Sequence, residues 1–429
     1  VPASLLSGVG RYTAFCAGDV VSRVLRMFSI EDSAAQIEEL KNALQKRAVA
    51  LRSEVAASKF EDDAYTRLAL SILERFQKQF DTEQGTEEWA RLQLSECLQV
   101  IDEAEAHIAR GRTFSNLDPR QTVRPTVKSG LLLGAPQDSG DTTAPGRPVL
   151  LSGYLGWGSV LRDLEVLGDF GVSLVQVEKG PNQMSEQFTL TDGADGIGEM
   201  ITRANASGLM VDLLLSPHYF PDWAVRKDPD VVFNEATGWT KFSITHPAAQ
   251  KVIASWLRQV VPLVKELPGL FAFCLSNEPT YSWSGRDPHS KPEWTAFLQR
   301  KHGTIESLNQ LYATKYGSFG EVTVPPLGMP EGGAAKRAYY DWIRFNQEFF
   351  AGWHRWMNDI VKGLAPEIPT HAKIMCNIFD PTTLANGIDP ELICDITDLA
   401  GNDCWSYPGA YHEYAYNWRL EEMWYDLLH

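Results

Sequence analysis

Asn277 and Glu278 are the residues of this 429-residue chain best placed to do chemistry. They close the segment Gly269-Leu-Phe-Ala-Phe-Cys-Leu-Ser-Asn-Glu-Pro279, an apolar run that ends abruptly in an amide, a carboxyl and a proline. The run is too short for a helix and is continuously apolar, as a strand buried on both faces should be. Pro279 cannot extend a sheet ladder, so the strand stops there and leaves Glu278 at its C-terminal tip. A carboxyl emerging from apolar surroundings is the kind of group whose proton is retained near neutrality, as a general acid requires. The competing readings are an ion-paired Glu278, with Arg162 or Lys179 as partner, and an Asn277 that only stabilises a turn.

Further candidates sit at comparable places. Glu178 follows the apolar run Val172–Val177, Asn377 ends Lys373-Ile-Met-Cys-Asn377, and Asp403 follows Ile396–Asn402. His218 and Trp223 lie in the loop after Leu209–Leu215, and Trp405 and Tyr407 lie just past Asp403. The aromatic side chains offer flat faces to a sugar ring, or they pack the end of the fold.

The elements that must hold these residues alternate from Val149 onward. Strand Val149–Ser152 leads to a helix marked by Val160, Leu161, Leu164, Leu167 and Phe170, closed by Gly171. Then come Val172–Val177, a helix over Asp195–Asn205, Leu209–Leu215, a helix over Pro247–Val264, and the run ending at Glu278. Units of this length imply parallel strands joined by right-handed crossovers, in a barrel or a doubly wound sheet. No Gly-x-Gly-x-x-Gly follows the first strand, which weakens the dinucleotide-binding version. An insertion at about 285–365 carries helices near 292–301, 304–316 and 337–364; strands 373–377 and 396–402 and a helix over 412–428 follow.

Residues 1–110 read as helical. Ser33 and Gln36 resemble a capping box, and Ile37, Leu40, Leu44, Ala48, Leu51 and Val55 recur at helical spacing. A second stripe runs through Tyr65, Leu68, Ile72, Phe76 and Phe80, and a third through Leu94, Leu98, Ile101 and Ile108. These are core seams of a small bundle or hairpin without recognisable chemistry. Residues 111–147 form a linker rich in turn formers, in which 130–134 and 149–151 are expected to pair as a hairpin.

A net charge of −16 argues against a nucleic-acid or anionic-membrane partner. No apolar run is long enough to span a bilayer. The six cysteines contain no Cys-x-x-Cys pair, so neither a disulfide framework nor a zinc site is indicated, and no cofactor is called for.

Ser276-Asn277-Glu278-Pro279 at the end of a fourth strand resembles the Asn-Glu-Pro signature of clan A glycoside hydrolases. Three further segments are similar to glycoside hydrolase family 42, the β-galactosidases. They are Trp294–Asn309 with Tyr312–Tyr316, the loop Pro217-His-Tyr-Phe-Pro-Asp-Trp223, and Tyr340-Asp-Trp-Ile-Arg-Phe345. The resemblance covers about 149–429. It implies a (β/α)₈ barrel with Glu278 as general acid/base and Asn277 on the sugar's 2-hydroxyl. In that clan the nucleophile is a second Glu on the seventh strand. Six strands are countable here, so the chain is expected to be an incomplete barrel that lacks its nucleophile and hydrolyses little by itself. Glu178, Asp403, Asn377, His218, Trp223, Trp405 and Tyr407 are the expected sugar contacts. The expected activity is retaining hydrolysis of terminal β-galactosides or related plant or algal oligosaccharides. The alternatives are a β-agarase or other clan A glycosidase, and a non-catalytic carbohydrate-binding or scaffold protein. Homo-oligomerisation and compartment are left open.

Overall fold

The computed structural model describes residues 33–82, 87–113, 123–128, 131–136, 147–149, 151–155, 157–168, 172–233, 238–375 and 381–403. Asn377, Trp405, Tyr407 and the expected helix over 412–428 lie outside them. The chain divides into two compact units, Val1–Asp118 and Pro119–His429.

The first unit holds helices α1 (Ser33–Ala56), α2 (Ala64–Thr82) and α3 (Glu87–Ala109). Leu44, Ala48, Leu51 and Val55 of α1 share one buried cluster with Leu94, Cys97, Ile101 and Ala104 of α3. On α2 the buried positions are Ala69 and Leu73, with Leu68 and Ile72 only half-buried. The seam is therefore rotated by one residue from the expected stripe. Buried Asp63 accepts the Thr66 backbone N–H at 3.0 Å and lies 2.9 Å from His107 Nε2, which pins the start of α2 against α3.

The second unit opens with an antiparallel sheet of β1 (Val123–Lys128), β2 (Leu131–Pro136) and β3 (Arg147–Pro148). The expected pairing across the linker includes 147–148, through Leu133↔Pro148 and Gly134↔Arg147, and the Val149 N–H also donates to the Leu132 carbonyl at 3.0 Å. Strand β1 has no clear signal in the sequence.

The main sheet contains β4 (Gly153–Leu155), β5 (Leu174–Glu178), β6 (Met210–Leu214), β7 (Leu270–Asn277), β8 (Thr370–Met375) and β9 (Asn402–Asp403). Its strands lie in chain order and every neighbouring pair is parallel. A doubly wound sheet would reverse its order at a switch point; this one does not. The sheet also curls. Asp212 on β6 meets His371 on β8, with Nε2 3.0 Å from both carboxylate oxygens, across the intervening β7. Strands two apart in a flat sheet stand about 9.6 Å from each other, so the two side chains converge on a concave face. The architecture is an incomplete (β/α)₈ barrel with six strands among the described residues.

Helices α4 (Trp157–Leu167), α5 (Asp192–Ala206), α6 (Asp222–Lys227) and α7 (Pro247–Val264) connect β4 to β7. The insertion supplies α8 (Lys291–His302), α9 (Ile305–Tyr312) and the long α10 (Gly333–Leu364), and α11 (Pro390–Cys394) precedes β9. Strand β7 is buried along its whole length. Phe273 and Leu275 join Ile253, Trp256 and Val260 of α7 and Phe350 and Trp353 of α10 in the main core.

Three strands begin well away from where they are expected: the first at 153 rather than 149, β8 at 370 rather than 373, and the last at 402 rather than 396. Asp389 caps α11 by accepting the Glu391 and Leu392 N–H groups at 3.1 and 3.4 Å. The Asp398 carboxylate takes the Thr370 N–H and the Lys362 ammonium, each at 2.9 Å, which holds the intervening chain in a turn.

A Cβ at Gly153 would stand 2.0 Å from the Leu174 carbonyl oxygen. Gly153→Ala is therefore expected to disrupt the β4–β5 ladder and to cost about 1–3 kcal/mol in urea unfolding. An unchanged midpoint would contradict this close approach.

Candidate active site

The C-terminal ends of β5, β6, β7 and β8 bring together the polar groups that matter. Glu278 follows the last residue of β7 with φ 42, and Ser216, just past β6, has φ 40. Left-handed backbone at two non-glycine strand tips carries a cost that the surrounding structure must sustain, and such strain gathers at functional sites. The Glu278 N–H donates to the Lys373 carbonyl at 2.9 Å, so the residue stays tied to β8 as its side chain turns outward. Its carboxylate Oε2 accepts the indole N–H of Trp239 at 3.0 Å. Neither Arg162 nor Lys179 pairs with it: Arg162 reaches Asp163 instead.

Trp239 is 47% exposed. Gly238 ahead of it has φ 83, and a Cβ there would fall 2.0 Å from Thr280 Oγ1. Only a glycine lets this loop close over the chain beyond Glu278.

Asn277 is buried, and its Oδ1 accepts the Lys373 ammonium at 2.8 Å. The same ammonium lies 3.1 Å from Asp403 Oδ2. With Oδ1 occupied, Asn277 has its amide NH₂ to offer a ligand oxygen. Lys373 is thus a positioning residue, and it also gives Asp403 an ion-pair role.

Glu178 accepts Ser216 Oγ at 2.5 Å and the Tyr219 hydroxyl at 3.0 Å. His218 Nε2 lies 3.5 Å from its Oε1. Burial pushes the Glu178 carboxyl above its usual range, against the opposing pull of Ser216, Tyr219 and the Lys373 charge. Burial lowers His218 to about 4 and raises Tyr219 to about 12, the latter aided by the Glu178 charge. His218 is therefore a neutral imidazole at physiological pH, packed 5.4 Å from the Trp239 ring. Trp223 is placed differently: its N–H donates to the Met184 carbonyl at 2.6 Å and its ring meets Phe188 edge-on at 5.3 Å. A cavity of about 200 Å³ beside Glu278 is lined by Pro279, Thr280, Gln347, Met375 and Asp389 among others.

Below the tips the barrel interior is polar as well. Asp212 accepts Gln176 Nε2 at 2.6 Å and pairs with His371. Burial would lower the His371 imidazole, yet the Asp212 charge overrides it and holds the group well above its ordinary value. His354 behaves oppositely. Its Nδ1 lies 2.9 Å from the Phe350 carbonyl, which can only accept, so Nε2 accepts the Ser276 hydroxyl at 2.8 Å. Complete burial lowers it to about 4 and keeps it neutral.

Asp230, His246 and His289 place potential metal-ligand atoms within 4.8 Å of one another. His246 Nδ1 accepts the Ala248 N–H at 3.1 Å, so the neutral ring carries its proton on Nε2, facing Asp230. That proton occupies the lone pair a metal would need.

The glycoside hydrolase family 42 profile, described as beta-galactosidase, matches residues 177–419. The chain belongs to glycoside hydrolase family 42. An Arthrobacter sp. beta-galactosidase is 24% identical over 238 residues, which is 51% of this chain and 33% of that one. Among solved structures, the exo-carrageenase of family 42 from Bacteroides ovatus superposes with a TM-score of 0.63 at 20% identity, covering 91% of this chain and 55% of that one. The beta-galactosidase from Rahnella sp. R3 gives 0.52 at 18% identity, covering 62% and 40%. The chain therefore spans about a third to a half of the length of these relatives, and the likeness to the solved structures establishes the shared fold.

In this family 42 chain the tertiary structure gathers Glu278, Asn277, Glu178, His218 and Asp403 around groups that motif reading passed over. These are Lys373, Trp239, Ser216 and Tyr219. A lysine within a short strand and a Gly-Trp pair in a loop were the available signals.

Removing the Lys373 charge leaves Asp403 without its counter-ion and frees Asn277 to rotate. Lys373→Met is expected to destabilise the fold by about 3 kcal/mol. For a hydrolysed substrate it should lower kcat more than it raises KM; a change confined to stability would reject the positioning role. For His354 the unfolded chain binds a proton near pH 6.5 and the folded one only near pH 4. Its stabilising contribution is full above 6.5 and is lost as pH falls toward 4, by on the order of 3 kcal/mol. The stability penalty of His354→Phe should therefore shrink between pH 7.5 and 5 in urea titrations, and a pH-independent penalty would contradict the neutral assignment.

Proposed function

We propose that the protein carrying this chain is a retaining β-glycosidase acting on terminal β-galactosides or related plant or algal oligosaccharides, with Glu278 as general acid/base. The observation that carries the reading is the strained backbone of Glu278 at the tip of β7, with its carboxylate directed onto the Trp239 N–H. Membership of family 42 supports it.

In the first step Glu278 protonates the glycosidic oxygen as that bond breaks, while a second carboxylate takes the anomeric carbon. In the second step Glu278 removes a proton from the water that releases the sugar. The nucleophile of this scheme is a glutamate on a seventh strand, and no described residue is assigned that role. The Asn277 amide donates to a sugar hydroxyl, and the exposed Trp239 ring offers a stacking face. Glu178, His218 and Asp403 lie beside them, with Trp223, Asn377, Trp405 and Tyr407 as further proposed contacts.

The test is hydrolysis of aryl β-galactosides of graded leaving-group ability by the full-length protein, with carrageenan oligosaccharides on the same panel because one structural relative is an exo-carrageenase. Glu278→Gln should lower kcat/KM about 10²–10⁴-fold for poor leaving groups, and much less for dinitrophenolate, which departs without a proton. Equal losses across the series would reject the acid role. Sugar binding without hydrolysis by the wild type would favour a non-catalytic carbohydrate-binding protein.

A further inference from the structure

A second cavity is lined by the chain just before α7 and by residues of α7, α8 and α10, none of them among the strand-tip groups described above. It measures about 400 Å³, within the range of small-ligand pockets. Helix α10 forms its floor with Phe349, Gly352 and Trp356, and Gln250 of α7 and Glu293 and Arg300 of α8 stand around it. Phe349 and Trp356 are only half-buried, so part of each ring remains open to a ligand.

Gly352 is the informative residue. It sits in the middle of a 32-residue helix, where glycine is less favourable than almost any alternative. No packing constraint explains it: a Cβ there would meet nothing within 4 Å, and the residue is exposed. What its lack of a side chain does is leave the helix backbone bare between Glu348 and Trp356. Trp353 Nε1 and Thr245 Oγ1, on residues that border this cavity, are buried without a hydrogen-bond partner among the described residues. Unpaired polar groups of this kind are uncommon and call for an explanation.

The charged groups define the ligand class. The charged residues that line the cavity are Glu293, Glu348 and Arg300, with the Arg300 guanidinium 3.8 Å from the Glu348 carboxylate. The balance is negative, so an anion is disfavoured. Carboxylate, amide and guanidinium groups beside aromatic faces match a neutral molecule that presents hydroxyls on its rim and C–H groups on its faces.

We infer that this cavity is a second carbohydrate-binding site, separate from the Glu278 site, that takes a neutral oligosaccharide. The cavity's own residues carry this inference; only the choice of a galactose-based probe rests on the proposed function. Sugar faces stack on Trp356 and Phe349, and the chain of the ligand crosses the backbone at Gly352.

The experiment is a titration of the full-length protein with β-1,4-galactotriose, in a Glu278→Gln background to prevent turnover, read by calorimetry and tryptophan fluorescence. Two binding events per chain are expected. Gly352→Leu fills the open position with a better helix former, so it should leave the melting temperature unchanged or higher. It should also weaken one event at least tenfold. Trp356→Ala should weaken the same event, and both variants should keep wild-type kcat and KM on an aryl β-galactoside. If the proposed catalytic site does not bind sugar, one event remains and Gly352→Leu abolishes it, so that the catalytic reading fails and this inference stands. Binding that is indifferent to Gly352→Leu overturns the inference. So does a change of sedimentation in the variants with unaltered sugar binding, which would mark the cavity as a contact between copies.

Discussion

The Lys373 ammonium is a charge held inside a parallel sheet, and the candidate site is arranged around how that charge is satisfied. Burying an ion costs several kcal/mol unless partners replace its water. Asp403 and the Asn277 oxygen do so from the strands on either side of β8. In doing so they define which atoms are left for a ligand. The Asn277 amide donors have no partner among the described residues, Asp403 forms an ion pair with Lys373, and the Glu178 carboxyl feels the same positive charge from across the sheet.

A similar logic governs the layer beneath. Asp212 bridges β6 to β8 through His371 and to β5 through Gln176, which is feasible only where the sheet curls enough for alternate strands to share a face. His354 uses the opposite solution. Full burial keeps it neutral, and its two nitrogens satisfy one acceptor and one donor. One imidazole charged and one uncharged, both near the sheet, show that the environment rather than residue type sets protonation here. The strained backbones of Ser216 and Glu278 then rest on a layer in which Asp212, His371 and His354 are each hydrogen-bonded.

The helical unit at the N-terminal side contributes a separate core, built on α1 and α3 with α2 locked by Asp63. Within the barrel unit the insertion has its own core as well, in which Trp294, Phe297, Trp342 and Phe345 pack together. Its α8 and the long α10 border the second cavity.

The sequence by itself determined whatever depends on local pattern. Helix α7 falls at 247–264 as expected, because a proline at its start and an unbroken apolar periodicity leave few alternatives. Strand β7 and its polar end are equally legible, since only a strand buried on both faces is apolar at every position. The glycosidase family resemblance followed from residues that keep their spacing along the chain. The tertiary structure decided the rest. Trp239, not Trp223, meets Glu278, because a loop returns over the strand tip through a glycine turn that no periodicity announces. Lys373 reads as an odd lysine in a short strand until β7 and β9 are placed on either side of it. The last strand begins late, after Asp398 has bonded the Thr370 N–H 28 residues back along the chain, and the start of α2 is held by buried Asp63 against the distant His107. Each of these outcomes depends on pairs separated in sequence and joined only by packing, where local propensity has nothing to say.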